Sequence, residues 1–210
     1  YELLTRQERQ LFRRLAIFSG GFAFEAATWV SEDAPAAVLA LVGSLLDKNL
    51  LYRIGGPNDD PRFDMLQTVR DFAYDRLGES GEAPSIARRH AEWITTIASQ
   101  SSGKRTRQQE RALEREIDNI RVAFATLDQT GEHETMLQLA LALEWFWSAL
   151  SYEREGFHWL TRALGAISGA AAPWRDRATV LAARLAIVLG EYAVATDLVE
   201  AGLALAEAAA

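Results

Sequence analysis

Apolar residues recur every three or four positions over most of this chain. The first stripe is Leu11, Leu15 and Phe18, the spacing of one helix face turned to a core. It is preceded by Thr5-Arg6-Gln7-Glu8, a capping box in which the Thr5 hydroxyl accepts from the Glu8 amide while the Glu8 side chain reaches back. Gly20-Gly21 ends the helix. The pattern predicts a short second helix over residues 24–30. A third begins near Asp33, an N-cap residue with Pro35 in the first turn, and runs to about Lys48.

The period then shortens. Leu50-Leu51-Tyr52-Arg53-Ile54 reads as a strand, residues 55–60 as a turn cluster, and Arg62-Phe63-Asp64-Met65-Leu66 as the returning strand. Three helices followed by a β-hairpin is the winged-helix arrangement. Val69, Phe72, Ala73 and Leu77 restore helical spacing over 67–77, and Gly78-Glu79-Ser80-Gly81 with Pro84 closes the unit. Ala87, Ala91, Ile94 and Ala98 share a face of a helix over 86–99. Leu113, Ile117, Ile120 and Phe124 do so over 110–127, with 101–104 as a joint between the two. The expected domains are a winged helix over 1–80, a helical linker over 81–130 and helical repeats over 131–210.

The repeats announce themselves by self-similarity. Ser151-Tyr152-Glu153-Arg154-Glu155-Gly156 and Thr161-Arg162-Ala163-Leu164 match Gly190-Glu191-Tyr192-Ala193-Val194-Ala195 and Glu200-Ala201-Gly202-Leu203, 39 residues further on. A tetratricopeptide unit spans about 34 residues, so a five-residue insertion is implied, placed at 168–173. Small residues stand where paired helices must approach closely: Gly156 and Ala163 in the first copy, Ala195 and Gly202 in the second. The large positions are only partly kept, with Trp147 in one copy and Ala186 at the matching place. The fold class expected is mainly α: a winged helix, a helical linker and tetratricopeptide-like helical hairpins.

Composition narrows the function. The net charge of −7 at pH 7 opposes a chain built to coat nucleic acid or an anionic membrane. An apolar share of 49% is that of a globular protein. The absence of cysteine removes disulfides, thiolate metal sites and cysteine nucleophiles, and fits a cytoplasmic location. No run has the length of a membrane span. The chain opens on Tyr1 and stops in a helical pattern at Ala210, which is expected of a piece of a longer protein.

No catalytic constellation emerges, and the chain is not expected to be an enzyme. There is no G-x-x-x-x-G-K-[ST] loop, so no cofactor is expected in this chain and the piece should neither bind nor hydrolyse ATP. His90, His133 and His158 fall on different elements, which argues against a metal site. Glu114, Glu116 and Asp118 read as a solvated helix face. Trp145, Phe146, Trp147, Phe157 and Trp159 read as core packing or as a stacking surface; Trp147, Trp159 and Tyr192 are the candidate interaction residues. The third helix carries only Asp33, Asp47 and Lys48 as charges around Ala36-Ala37-Val38-Leu39-Ala40-Leu41-Val42. A helix that reads a major groove presents Arg, Lys, Asn or Gln to base edges. On that ground no direct contact with nucleic acid is expected from this segment, and Asp59-Asp60 beside Arg53 and Arg62 makes the wing no more basic.

Leu15-Ala16-Ile17-Phe18-Ser19-Gly20-Gly21-Phe22, Leu45-Leu46-Asp47-Lys48-Asn49-Leu50, the run from Arg62 to Ala73, Arg89-His90, Glu116-Ile117-Asp118-Asn119-Ile120-Arg121 and Glu155-Gly156-Phe157-His158-Trp159-Leu160 together resemble bacterial STAND-type regulatory ATPases. These are large transcriptional activators similar to the AfsR and LuxR-related families. The resemblance covers nearly the whole chain. It implies an ATPase module, a winged helix that packs on it and holds the ADP-bound form, a linker, tetratricopeptide repeats, and a separate DNA-binding domain at one end. In related proteins a Met-His-Asp motif brings its histidine to the ADP phosphates. Met65, Leu66 and Gln67 occupy the matching place here, with leucine in the histidine position.

The resulting expectation is a regulatory, non-catalytic segment of a nucleotide-switched transcriptional regulator. Its partners would be its own ATPase module, further repeats and a protein or small-molecule effector, with no membrane. The alternatives are a DNA-binding winged-helix transcription factor with a helical effector domain, or a free-standing tetratricopeptide adaptor. Val180, Leu181, Leu185, Val188, Leu198, Val199, Leu203 and Leu205 cannot all face the first repeat, so self-association through 176–207 is expected of the isolated piece.

Overall fold

A computed structural model describes residues 1–55, 61–100, 106–167 and 174–208. The turn at 56–60, the joint at 101–104 and the insertion at 168–173 lie outside the described residues. The chain forms two compact units: Tyr1–Ile94 with Arg115–Ala123, and Thr95–Glu114 with Phe124–Ala210.

The first unit opens with α1 (Arg6–Leu15). Its capping box is formed as expected: the Glu8 amide donates to the Thr5 hydroxyl at 3.3 Å, and the Thr5 amide to Glu8 Oε2 at 2.7 Å. Leu11, Phe12 and Leu15 are buried. Glu8 is almost covered as well, because its carboxylate also accepts from the Ser44 hydroxyl and the Lys48 ammonium. The Lys48 hydrogen bond, then that of Ser44, holds the Glu8 carboxyl down to about 2.

That depression sets the sign of a pH effect. An unfolded glutamate takes its proton near pH 4.5, so the stabilising contribution of Glu8 is complete above that value and lost as pH falls through 2. In urea unfolding at a series of pH values, the gap between wild type and Glu8→Gln is expected to be widest above about pH 5 and to close toward pH 2. A gap that persists at pH 2 would show that the ionised carboxylate is not what stabilises the contact.

A three-stranded antiparallel sheet follows, with β1 (Phe22–Ala23), β2 (Tyr52–Ile54) and β3 (Arg62–Asp64) in the order β1-β3-β2. Phe22 pairs with Phe63, and Arg53 pairs with Phe63 from the other side. The sequence pattern predicts β2 and β3 but not β1, because two residues show no period. Gly21 enables that third strand. Its φ is +85°, and a Cβ there would stand 2.7 Å from Ile54 Cδ1 and 2.9 Å from the Phe63 carbonyl oxygen, so only glycine fits.

Helices α2 (Phe24–Ser31) and α3 (Pro35–Asp47) lie between β1 and β2. Pro35 occupies the first turn as expected, but Ala34 is the N-cap and offers no side-chain bond; Asp33 instead donates its amide to the Ser31 hydroxyl at 3.2 Å. α4 (Gln67–Glu79) packs on α1. Pro84, expected to close the unit, lies in the first turn of α5 (Ala83–Gln100), where its missing N–H costs nothing.

The single helix expected over 110–127 is two, α6 (Arg107–Glu114) and α7 (Ile117–Thr130). The break falls at Arg115-Glu116, and Glu116 is buried in an ion pair with Arg62. The expectation of a solvated face at Glu114, Glu116 and Asp118 therefore fails at Glu116, because its carboxylate has an internal guanidinium to neutralise; Glu114 is exposed.

The second unit is helical: α8 (His133–Ala142), α9 (Glu144–Ala149), α10 (Glu153–Ala166), α11 (Arg175–Val188) and α12 (Tyr192–Ala208). α8 packs on α10, α10 on α11 and α11 on α12. Gly156 allows α10 to pack tightly on α9, since a Cβ would lie 2.6 Å from the Trp147 ring. At Gly202 the space is looser, 3.3 Å to Thr179 Cγ2. Trp147 donates its indole N–H to the Ala140 carbonyl at 2.9 Å, next to the break that separates α8 from α9. Val180, Val188, Val199 and Leu203 are exposed, while Leu181 and Leu185 are buried. Among the described residues no single helix is long and apolar enough to cross a membrane.

Candidate nucleic-acid interface

α2 and α3 meet at 112° across the turn Glu32-Asp33-Ala34, within the range of about 90–120° of a helix-turn-helix. Glu32 makes the corner with a left-handed φ of +61°, and Arg89 forms an ion pair with its carboxylate. Val38, Val42 and Leu45 bury the inner face of α3. The outer face of its N-terminal half is Pro35, Ala36, Ala37, Leu39 and Ala40, with Leu39 62% exposed. No charge stands on that half. Lys48, bound to Glu8, follows the helix, and in the wing Arg53 is exposed with its guanidinium 6.0 Å from the centre of the Phe63 ring.

The wing is braced from behind by a buried polar cluster. Arg62 pairs with Glu116 and donates to the Gly21 carbonyl at 3.2 Å. Asn119 donates to the same carbonyl at 2.9 Å and to Glu116 Oε2 at 2.6 Å, while its Oδ1 accepts from the Ser19 amide at 2.8 Å. His90 Nε2 lies 3.3 Å from that Oδ1. Since Oδ1 only accepts, the imidazole proton sits on Nε2, and burial, opposed by the Asn119 bond, lowers the His90 pKa to about 4. His90 is therefore neutral at pH 7, and the cluster holds structure without proton transfer. Its members come from four separated stretches, and in the sequence Arg62, His90 and Glu116 stand in unrelated settings as a wing charge, a lone histidine and a helix-face carboxylate. Asn119 carried no chemical signal of its own.

Met65 is buried, Leu66 is the exposed N-cap of α4, and Gln67 is exposed and donates to Asp71 at 2.7 Å. In the second unit Trp147 is fully buried and has no surface to offer a partner, because its ring fills the space over Gly156. Trp159 stacks on Phe124 with centroids 5.0 Å apart and planes 7° from parallel. Tyr192, at the start of α12, is 67% exposed.

A helix pair meeting at 112° and followed by a hairpin defines a winged helix-turn-helix domain, and residues 4–78 match the winged helix-turn-helix family model. The chain is also 36% identical over 174 residues to proteins of Mycobacterium tuberculosis and Mycobacterium bovis provisionally named HTH-type transcriptional regulators. That similarity takes in 78% of this chain but 19% of theirs, so the chain spans about a fifth of their length. An uncharacterised protein of Mycobacterium tuberculosis is 33% identical over 94 residues, covering 43% of this chain and 24% of its own length. No solved structure matches the chain.

These matches overturn the expectation that the segment makes no direct contact with nucleic acid. They point to DNA as a partner of the winged helix. An apolar α3 was a weak ground for that expectation, because base contacts are only part of DNA binding in general and phosphate contacts made elsewhere on a domain supply much of the affinity.

Proposed function

We propose that this chain is a regulatory segment of a DNA-binding transcription regulator that is switched by a nucleotide and an effector. The observation that carries the reading is the 112° helix pair of α2 and α3, in a segment that matches the winged helix-turn-helix family. In this reading the N-terminal half of α3 enters the major groove, where Ala36 and Ala40 meet thymine methyls, and Arg53 serves phosphates. Recognition, not catalysis, is the work of the segment. The nucleotide belongs to an ATPase module elsewhere in the full-length protein, with Met65, Leu66 and Gln67 at the position the family resemblance assigns to sensing it. The helical unit supplies tetratricopeptide-like repeats for the effector.

A second reading is favoured by the exposure of Leu39 beside Ala36 and Ala40. An apolar outer face suits a protein neighbour, here the ATPase module, and docking there would cover the residues that face DNA. Fluorescence anisotropy with labelled duplexes over a salt series distinguishes the two. DNA contact predicts binding that weakens as salt rises and falls about tenfold or more with Arg53→Glu and with Leu39→Asp. Binding indifferent to both substitutions assigns the α3 face to the protein neighbour.

A further inference from the structure

We propose that a groove in the second unit binds a small aromatic carboxylate. This deepens the reading of the helical unit as the effector-sensing part and rests on it. The groove has a volume of about 780 Å³, inside the range of roughly 300–1,000 Å³ of small-molecule sites. Two indoles line it, Trp145 from α9 and Trp174 at the N-cap of α11, together with Leu141. They supply apolar surface for a planar body.

The charge in the groove is arranged for an anion. Arg177 and Arg184 stand seven residues, or about two turns, apart on α11 and so share a face. Both approach one carboxylate, that of Glu144, at 3.9 Å and 2.5 Å. A guanidinium has five N–H donors, and a single carboxylate cannot take those of two. Among the described residues the three ionised groups of the lining, Glu144, Arg177 and Arg184, leave one positive charge in excess, which matches a monoanion. A carboxylate joined to an aromatic ring meets both demands: its oxygens take the fork of the guanidiniums, and its ring lies against indole.

The test is a titration of the 210-residue chain with 1-naphthoate, read by NMR at the indole N–H resonances of its six tryptophans. Trp145→Phe and Trp174→Phe assign the two that matter. The expected result is that these two resonances shift and that neutral 1-naphthalenemethanol binds at least about tenfold more weakly. Arg177→Ala with Arg184→Ala is expected to weaken 1-naphthoate by about the same factor. Both arginines are exposed, so the unit should keep its fold, which unchanged Trp147 and Trp159 resonances would verify. Glu144→Gln removes the resident competitor and is expected to tighten binding by about threefold, whereas a purely structural role for Glu144 would weaken it. Equal binding of the neutral analogue, or shifts confined to other indoles, would overturn the proposal. Neither result bears on duplex binding by the winged helix, so the two readings fail separately.

Discussion

Glu116→Ala is expected to destabilise the first unit by about 3–5 kcal/mol, the cost of leaving a buried charge without its partner. Arg62 and Glu116 are each under a tenth exposed, and the substitution also removes an acceptor of Asn119. Arg62→Met combined with Glu116→Leu should cost much less than Glu116→Ala alone, since apolar replacements of similar volume leave no stranded charge. Urea unfolding followed by circular dichroism reads both. If Glu116→Ala costs under about 1 kcal/mol, the pair behaves as a solvated surface contact.

The second large effect is expected in the helical unit. Trp147→Ala should cost about 3–5 kcal/mol, because it empties a fully buried site and strands the Ala140 carbonyl. Gly156→Ala should cost about 1–3 kcal/mol by overpacking against the same ring. With the indole removed, that second penalty should shrink or vanish, so the double variant should be more stable than the sum of the single losses predicts. Strict additivity would mean that the ring is not what confines Gly156.

Elements carried by period and caps were legible in the sequence. α1 follows from Thr5 and Glu8, α3 from Pro35 and its apolar face, and the tight contact at Gly156 from the self-matching of two stretches. Elements that depend on partners far along the chain were not. β1 exists because Gly21 lets the backbone reach β3, and a two-residue strand has no pattern of its own. The break between α6 and α7 reads as continuous helix until Arg62 is known to sit behind Glu116, 54 residues away. The α3 surface shows a different limit. Its side chains are apolar as read, and the order of three helices and a hairpin already implied a winged helix, but the 112° between α2 and α3 is reported by neither helix alone.

The first unit takes its residues from two stretches, Tyr1–Ile94 and Arg115–Ala123, and this bears on how it is made. During synthesis at about 5–20 residues per second, the winged helix leaves the ribosome some seconds before Glu116 and Asn119 do. Until then Arg62 lacks its counter-ion and the Gly21 carbonyl has no amide donor from Asn119. The nascent domain is therefore incomplete at residue 80 and only becomes whole once the later helix arrives. A ribosome-stalled series ending on either side of that point should show protease resistance of residues 1–94 appearing in one step, after Asn119 has cleared the exit tunnel.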